Sequence, residues 1–132
     1  WIWTKKEYSD FILKLEYKIN PGGNSGIAIR WPAEAKSRPT KSGYEVQIKD
    51  SGGDKNLSGS IYNLVSAPKG LARPGEWNRF EIHCIGEKMT VFLNGVRAAE
   101  LSDRRSLRGR IGLQVHDPKS KPVFRHIRIA EM

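Results

Sequence analysis

The segment Gly43-Tyr44-Glu45-Val46-Gln47-Ile48-Lys49-Asp50 decides how the rest of the chain is read. Tyr44, Val46 and Ile48 alternate with Glu45, Gln47 and Lys49. Apolar residues at every second position mark a strand with one face against a core. Glu45 and Gln47 stand two residues apart, so they project side by side from the other face. Arg110 to His116 repeats the pattern. Ile111, Leu113 and Val115 form its apolar side, and Arg110, Gly112, Gln114 and His116 its polar side. If the two polar sides share one sheet surface, they make a shallow site of Glu45, Gln47, Gln114 and His116. Hydrogen-bonding groups on a rigid sheet suit a polyhydroxylated ligand such as a sugar. The competing reading is that each is an ordinary exposed strand position, because polar residues are mostly exposed.

Working outward, the same period recurs along the chain. Phe11, Leu13, Leu15, Tyr17 and Ile19 alternate with Ile12, Lys14, Glu16 and Lys18 up to a turn at Pro21-Gly22-Gly23-Asn24. Ser25 to Trp31 follows, with Ile27, Ile29 and Trp31 on one side and Ala28 and Arg30 on the other. Further strands are expected at Ser60–Val65, Trp77–Ile85, Met89–Leu93, Val96–Leu101 and Val123–Ile129. Asn94-Gly95 is a strong signal for a type I′ hairpin turn. About nine short strands with no convincing helix predict an all-β sandwich or jelly roll of two antiparallel sheets. Tyr44, Val46, Ile48, Phe80, Ile82, Ile111, Leu113 and Val115 are expected in its core. No internal repeat or linker divides the chain, so residues 1–132 read as a single domain.

Composition narrows the classes. The chain has 132 residues, 38% of them hydrophobic and 28% charged, which fits a globular domain with a real core. No apolar run approaches membrane-spanning length. The charge of +9 would attract phosphates or acidic polysaccharide. However, there is no helix-turn-helix pattern, zinc-finger spacing or aromatic RNA-binding signature, so specific nucleic-acid binding is not expected. Cys84 is the single cysteine, which excludes internal disulfides and multi-cysteine metal sites. It shares the apolar side of its strand with Phe80 and Ile82, as a buried, inert thiol would. Trp1-Ile2-Trp3-Thr4 reads like the interior of a domain, and an upstream segment is expected.

Several motifs, taken in order, are more specific. Gly22-Gly23-Asn24-Ser25-Gly26-Ile27, Gly43-Tyr44-Glu45-Val46-Gln47-Ile48 and Gly59-Ser60-Ile61-Tyr62 are three of them. Arg73-Pro74-Gly75-Glu76-Trp77-Asn78, Leu93-Asn94-Gly95-Val96, Gly109 to His116 and Phe124-Arg125-His126-Ile127 complete the set. Together they resemble the 3-keto-disaccharide hydrolase domain family over essentially the whole chain. The resemblance implies a concanavalin A-like lectin/glucanase jelly roll with additional N-terminal strands that this sequence lacks, a carbohydrate partner and a periplasmic or secreted location. Relatives often carry an acidic residue before the histidine and a glycine after it. Here those positions are Val115 and Asp117, so a role for that acidic neighbour does not transfer.

The resemblance also implies a reaction on sugars oxidised at carbon 3. The ketone acidifies the proton on carbon 2. A base removes it, the enolate expels the group on carbon 1, and water adds to the unsaturated product. This route differs from ordinary glycoside hydrolysis by two carboxylates. It requires a base, a stabiliser for the enolate oxygen and help for the leaving oxygen. Glu45 is the candidate base or metal ligand, or else a hydroxyl-binding carboxylate. His116 is the candidate acid or base, since imidazole titrates near neutrality. Arg30 could stabilise the enolate or orient hydroxyls, or form a surface salt bridge. Gln47 and Gln114 are candidates for hydroxyl binding. Asp50 could hold a ligand or cap a turn. A Glu, His and Asp group could also bind a divalent ion, although the sequence carries no local metal signature. Trp1, Trp3, Trp31 and Trp77 could stack on sugars or simply pack. A noncatalytic carbohydrate-binding module and an adhesion module are the competing classes on the same fold.

Overall fold

The period-two segments become two antiparallel sheets in the computed structural model, which describes residues 1–51, 56–115 and 117–132. In chain order the elements are β1 (Ile2–Trp3), β2 (Phe11–Lys18), β3 (Ser25–Trp31), α1 (Pro39–Ser42) and β4 (Tyr44–Ile48). They continue with β5 (Asn78–Ile85), β6 (Lys88–Leu93), β7 (Val96–Ser102), β8 (Arg110–Leu113) and β9 (Val123–Glu131). One sheet has the order β1-β8-β3-β4 and the other β7-β6-β5-β2-β9. This is a jelly-roll sandwich of the concanavalin A-like kind.

Alternation explains the packing. Tyr44, Val46 and Ile48 point inward from β4 and are buried against Leu13, Leu15, Phe80 and Ile82 of the other sheet. Burying one such large apolar side chain stabilises the fold by about 1.5–3 kcal/mol. Tyr17 and Phe80 stack in the core with centroids 5.2 Å apart. Cys84 is fully buried, and burial pushes its thiol up to about 12, as expected of an inert packing group. Asn94 and Gly95 both have positive φ, the backbone a type I′ turn requires.

The structure corrects the sequence reading in four places. First, β8 ends at Leu113, so Val115 lies beyond the sheet and is 61% exposed instead of buried. Second, Ser60–Val65 is a turn, tied to its surroundings by isolated bridges from Ile61 to Val46 and Val65. Third, β1 supplies a strand that its two residues were too few to announce. Fourth, a register shift between Ala28 and Trp31 interrupts the alternation of β3. At that bulge Arg30 has φ of 52° and its side chain leaves the outer sheet face.

Candidate functional site

The outer face of the four-stranded sheet carries the site. Its strands are in register, so the outward positions fall into two rows. Trp3, Gly112, Ala28 and Glu45 make one row across β1, β8, β3 and β4. In the second, Gln114 donates its backbone N–H to the Gly26 carbonyl at 3.0 Å, and Gly26 pairs with Gln47. Trp1 continues this row past β1. The middle of each row is small, being Gly112 and Ala28 in one and Gly26 in the other. The two ends are large. The result is a trough about 14 Å wide, from three strand spacings of about 4.8 Å. Trp1 and Trp3 stand on one side, and Glu45 and Gln47 on the other.

Within this trough lies a cavity of about 150 Å³ lined by Trp1, Asn24, Arg38, Pro39, Thr40, Glu45, Gln47, Tyr62 and Gln114. Glu45 is only 7% exposed and Gln47 only 4%. The loops before and after β4 cover what the alternation alone describes as an open face. Arg105 fixes α1 by donating to the Thr40 carbonyl at 2.8 Å and the Gly43 carbonyl at 3.1 Å. Tyr62 is held by its backbone N–H, which donates to the Glu45 carbonyl at 2.8 Å.

Gly26 makes room for the Glu45 side chain. A Cβ at position 26 would lie 2.5 Å from Glu45 Oε2. Burial pushes the Glu45 carboxyl up to about 7. Arg38 supplies a positive charge to the cavity lining, and among the described residues no salt bridge engages its guanidinium.

Glu45, Gln47 and Gln114 are thus brought together as their alternation implies. Two other candidates sit elsewhere. Arg30 is 0% exposed and donates to the Ser9 carbonyl from Nη2 at 2.6 Å and to the Gly86 carbonyl from Nη1 at 2.5 Å. It also meets Asp10 Oδ1 at 3.3 Å, so its guanidinium ties loops together outside the cavity. The bulge in β3 is the reason. Asp50 Oδ1 accepts hydrogen bonds from the Tyr17 and Ser58 hydroxyls, each at 2.6 Å. It anchors the end of β4 instead of lining the cavity, and burial raises its carboxyl. His116 lies outside the described residues. Among the described residues, no three side chains of His, Cys, Asp or Glu converge as a metal site.

Sequence reasoning missed Arg38, Asn24, Tyr62 and Thr40. Asn24 and Tyr62 sat inside quoted motifs and could have been drawn from them. Arg38 and Thr40 come from the start of α1, a stretch with no periodic signal.

Of the remaining aromatics, Trp1 stacks on Trp3 with centroids 5.2 Å apart and planes 17° apart. Trp3 meets Trp31 at 3.9 Å, and the Arg110 guanidinium lies 5.0 Å from the Trp3 ring and 4.8 Å from the Trp31 ring. Trp77 is covered by Arg125 at 3.7 Å. His83 meets Glu81 Oε2 at 2.6 Å, a partner its position in the sequence did not suggest.

Comparison with known proteins agrees with this architecture. A Parabacteroides distasonis protein assigned as a glycosyl hydrolase superposes with a TM-score of 0.87 at 28% identity, covering 98% of this chain and 82% of that one. A second protein of that organism, also assigned as a glycosyl hydrolase, gives 0.86 at 22% identity, covering 98% and 75%. The carbohydrate-binding module CBM66 of Bacillus subtilis gives 0.72 at 15% identity, covering 96% and 78%. The last two likenesses establish the fold alone. No curated protein matches the sequence significantly. The family model for the 3-keto-alpha-glucoside-1,2-lyase-like domain matches residues 1–130. With its jelly-roll fold and its ordered motifs, the chain belongs to the 3-keto-alpha-glucoside-1,2-lyase-like domain family, whose function is carbohydrate-related.

Proposed function

We propose that this domain cleaves 3-keto-glycosides by elimination, with Glu45 as the base. The observation that carries this reading is a buried carboxyl pushed up to about 7 in a small polar cavity. A general base works best when its pKa lies near the working pH. The ionised Glu45 takes the proton from carbon 2. The C–H electron pair becomes the C2–C3 double bond as the ketone oxygen gains the charge. That enolate then collapses to form the C1–C2 double bond and breaks the bond from carbon 1 to the leaving oxygen. The departing oxygen takes a proton, and the one held on Glu45 balances the step. Water adding at carbon 1 restores the 3-keto sugar. Arg38 faces the same cavity and supplies the positive charge that an enolate oxygen needs. Gln47, Gln114 and Asn24 offer amides to sugar hydroxyls.

A binding module that holds sugars without cleaving them is the second reading. The fold shared with the Bacillus module favours it. Product analysis separates the two. Incubation with a 3-keto-disaccharide in D₂O, with and without chelator, should release both halves and place deuterium on carbon 2 of the keto half. Glu45→Gln should lower kcat by about 10²–10⁴-fold while leaving product affinity nearly unchanged. Sugar binding without release of product by the unmutated protein would establish the binding-module reading instead.

A further inference from the structure

Resting on the sugar reading of the Glu45 cavity, we propose that Trp1 is the stacking surface for its ligand: the indole takes the apolar C–H face of a pyranose ring. Four observations carry this. Trp1 is the one tryptophan among the described residues that lines the cavity. The other indoles are occupied, Trp3 and Trp31 by each other and by Arg110, and Trp77 by Arg125.

Trp1 is also held in place before any ligand arrives. Its ring stacks on Trp3, and Trp3 lies flat on β8 because position 112 is glycine; a Cβ there would overlap the Trp3 ring. Trp31 Nε1 donates to the Ser37 carbonyl at 2.8 Å, which fixes the far end of the stack. A surface ordered in advance loses little conformational freedom on binding.

Finally, the walls of the trough differ in chemistry. The indole side is apolar with a negatively polarised ring face, and the opposite side presents the Glu45 carboxyl and the Gln47 amide. A pyranose has the matching asymmetry, with C–H groups on its face and hydroxyls around its edge. A linear polar ligand or a bare anion would leave the indole without a partner.

The test uses the Glu45→Gln protein, expected to turn a 3-keto-disaccharide over too slowly to consume it during the measurement, and reads its Kd by calorimetry. Adding Trp1→Ala should raise Kd by about tenfold, equivalent to about 1.4 kcal/mol. Trp1→Phe keeps a ring and should stay within about threefold. In the unmutated indole set, the Trp1 Nε1–H resonance should move on titration while that of Trp77 stays still. An unmoved Trp1 resonance, with Kd in Trp1→Ala within about twofold of its parent, overturns the stacking proposal and leaves the sugar reading intact. Failure of the Glu45→Gln parent to bind the disaccharide at all overturns both.

Discussion

Replacing Glu45 by Gln should flatten the dependence of stability on pH, and the size of the effect follows from the site. Burial moves the carboxyl from 4.5 to about 7, so the folded protein favours the protonated form. Below about pH 4.5 the group is protonated in both the folded and the unfolded states, and the contribution is fully present. As pH rises towards 7 the unfolded chain releases this proton while the folded chain keeps it. At about 1.4 kcal/mol per pH unit, the fold loses about 3 kcal/mol across that window and then levels off. Gln resembles the protonated acid in shape and carries no charge. Glu45→Gln should therefore match the parent near pH 4.5 and exceed its stability by about 3 kcal/mol at pH 8. Denaturant unfolding of both proteins at pH 4.5, 6, 7 and 8 measures this, since groups common to both cancel in the difference. Parallel stability curves over the whole range would refute the reasoning, because they would mean that Glu45 is solvated or paired. The same group gives a kinetic signature of the same sign. With Glu45 as the base, turnover would need its ionised form, so kcat/KM should rise through pH about 7. Such a base, destabilising its own fold while ionised, would follow the stability–activity trade-off.

Arg30→Met should destabilise the domain by about 3–5 kcal/mol in denaturant unfolding, since it removes a buried cation and strips the Ser9 and Gly86 carbonyls of their donor. Gly26→Ala should leave the fold intact yet lower kcat by about 10²-fold or more, because the added methyl displaces the Glu45 carboxyl; a pH-rate profile that loses its inflection near 7 would confirm the cause. Arg38→Ala should cost about 10²–10³ in kcat with a smaller change in product affinity, as expected of a charge used mainly by the enolate. Cys84 should resist thiol reagents in the native protein and react only on unfolding, as measured by titration with and without denaturant.

The elements legible in the sequence are those in which one local rule holds from end to end. Tyr44 to Ile48 alternates without interruption, so both its core face and its Glu45–Gln47 face were readable from five residues. Arg30 escaped that reading because alternation assumes unbroken pleating. One bulge residue with φ of 52° is enough to carry the guanidinium off the polar face, and arginine gives no glycine-like warning of positive φ. Val115 escaped for the opposite reason, because the apolar pattern ran on past the last hydrogen-bonded residue of β8.

The cavity walls were hidden more deeply. Trp1, Arg38 and Tyr62 come to the same cavity as Glu45 only through sheet order and loop closure, and neither leaves a periodic trace. Even so, part of that information stood in the chain as small residues. Gly26, Ala28 and Gly112 interrupt the outer faces of β3 and β8 where a strand gains from large or branched side chains. A glycine inside a strand weakens it unless something must come close to the backbone there. Here Glu45 comes close at Gly26 and the Trp3 ring at Gly112. The missing side chains of the central strands therefore point to the groups that the outer strands bring in over them, and so to the trough itself.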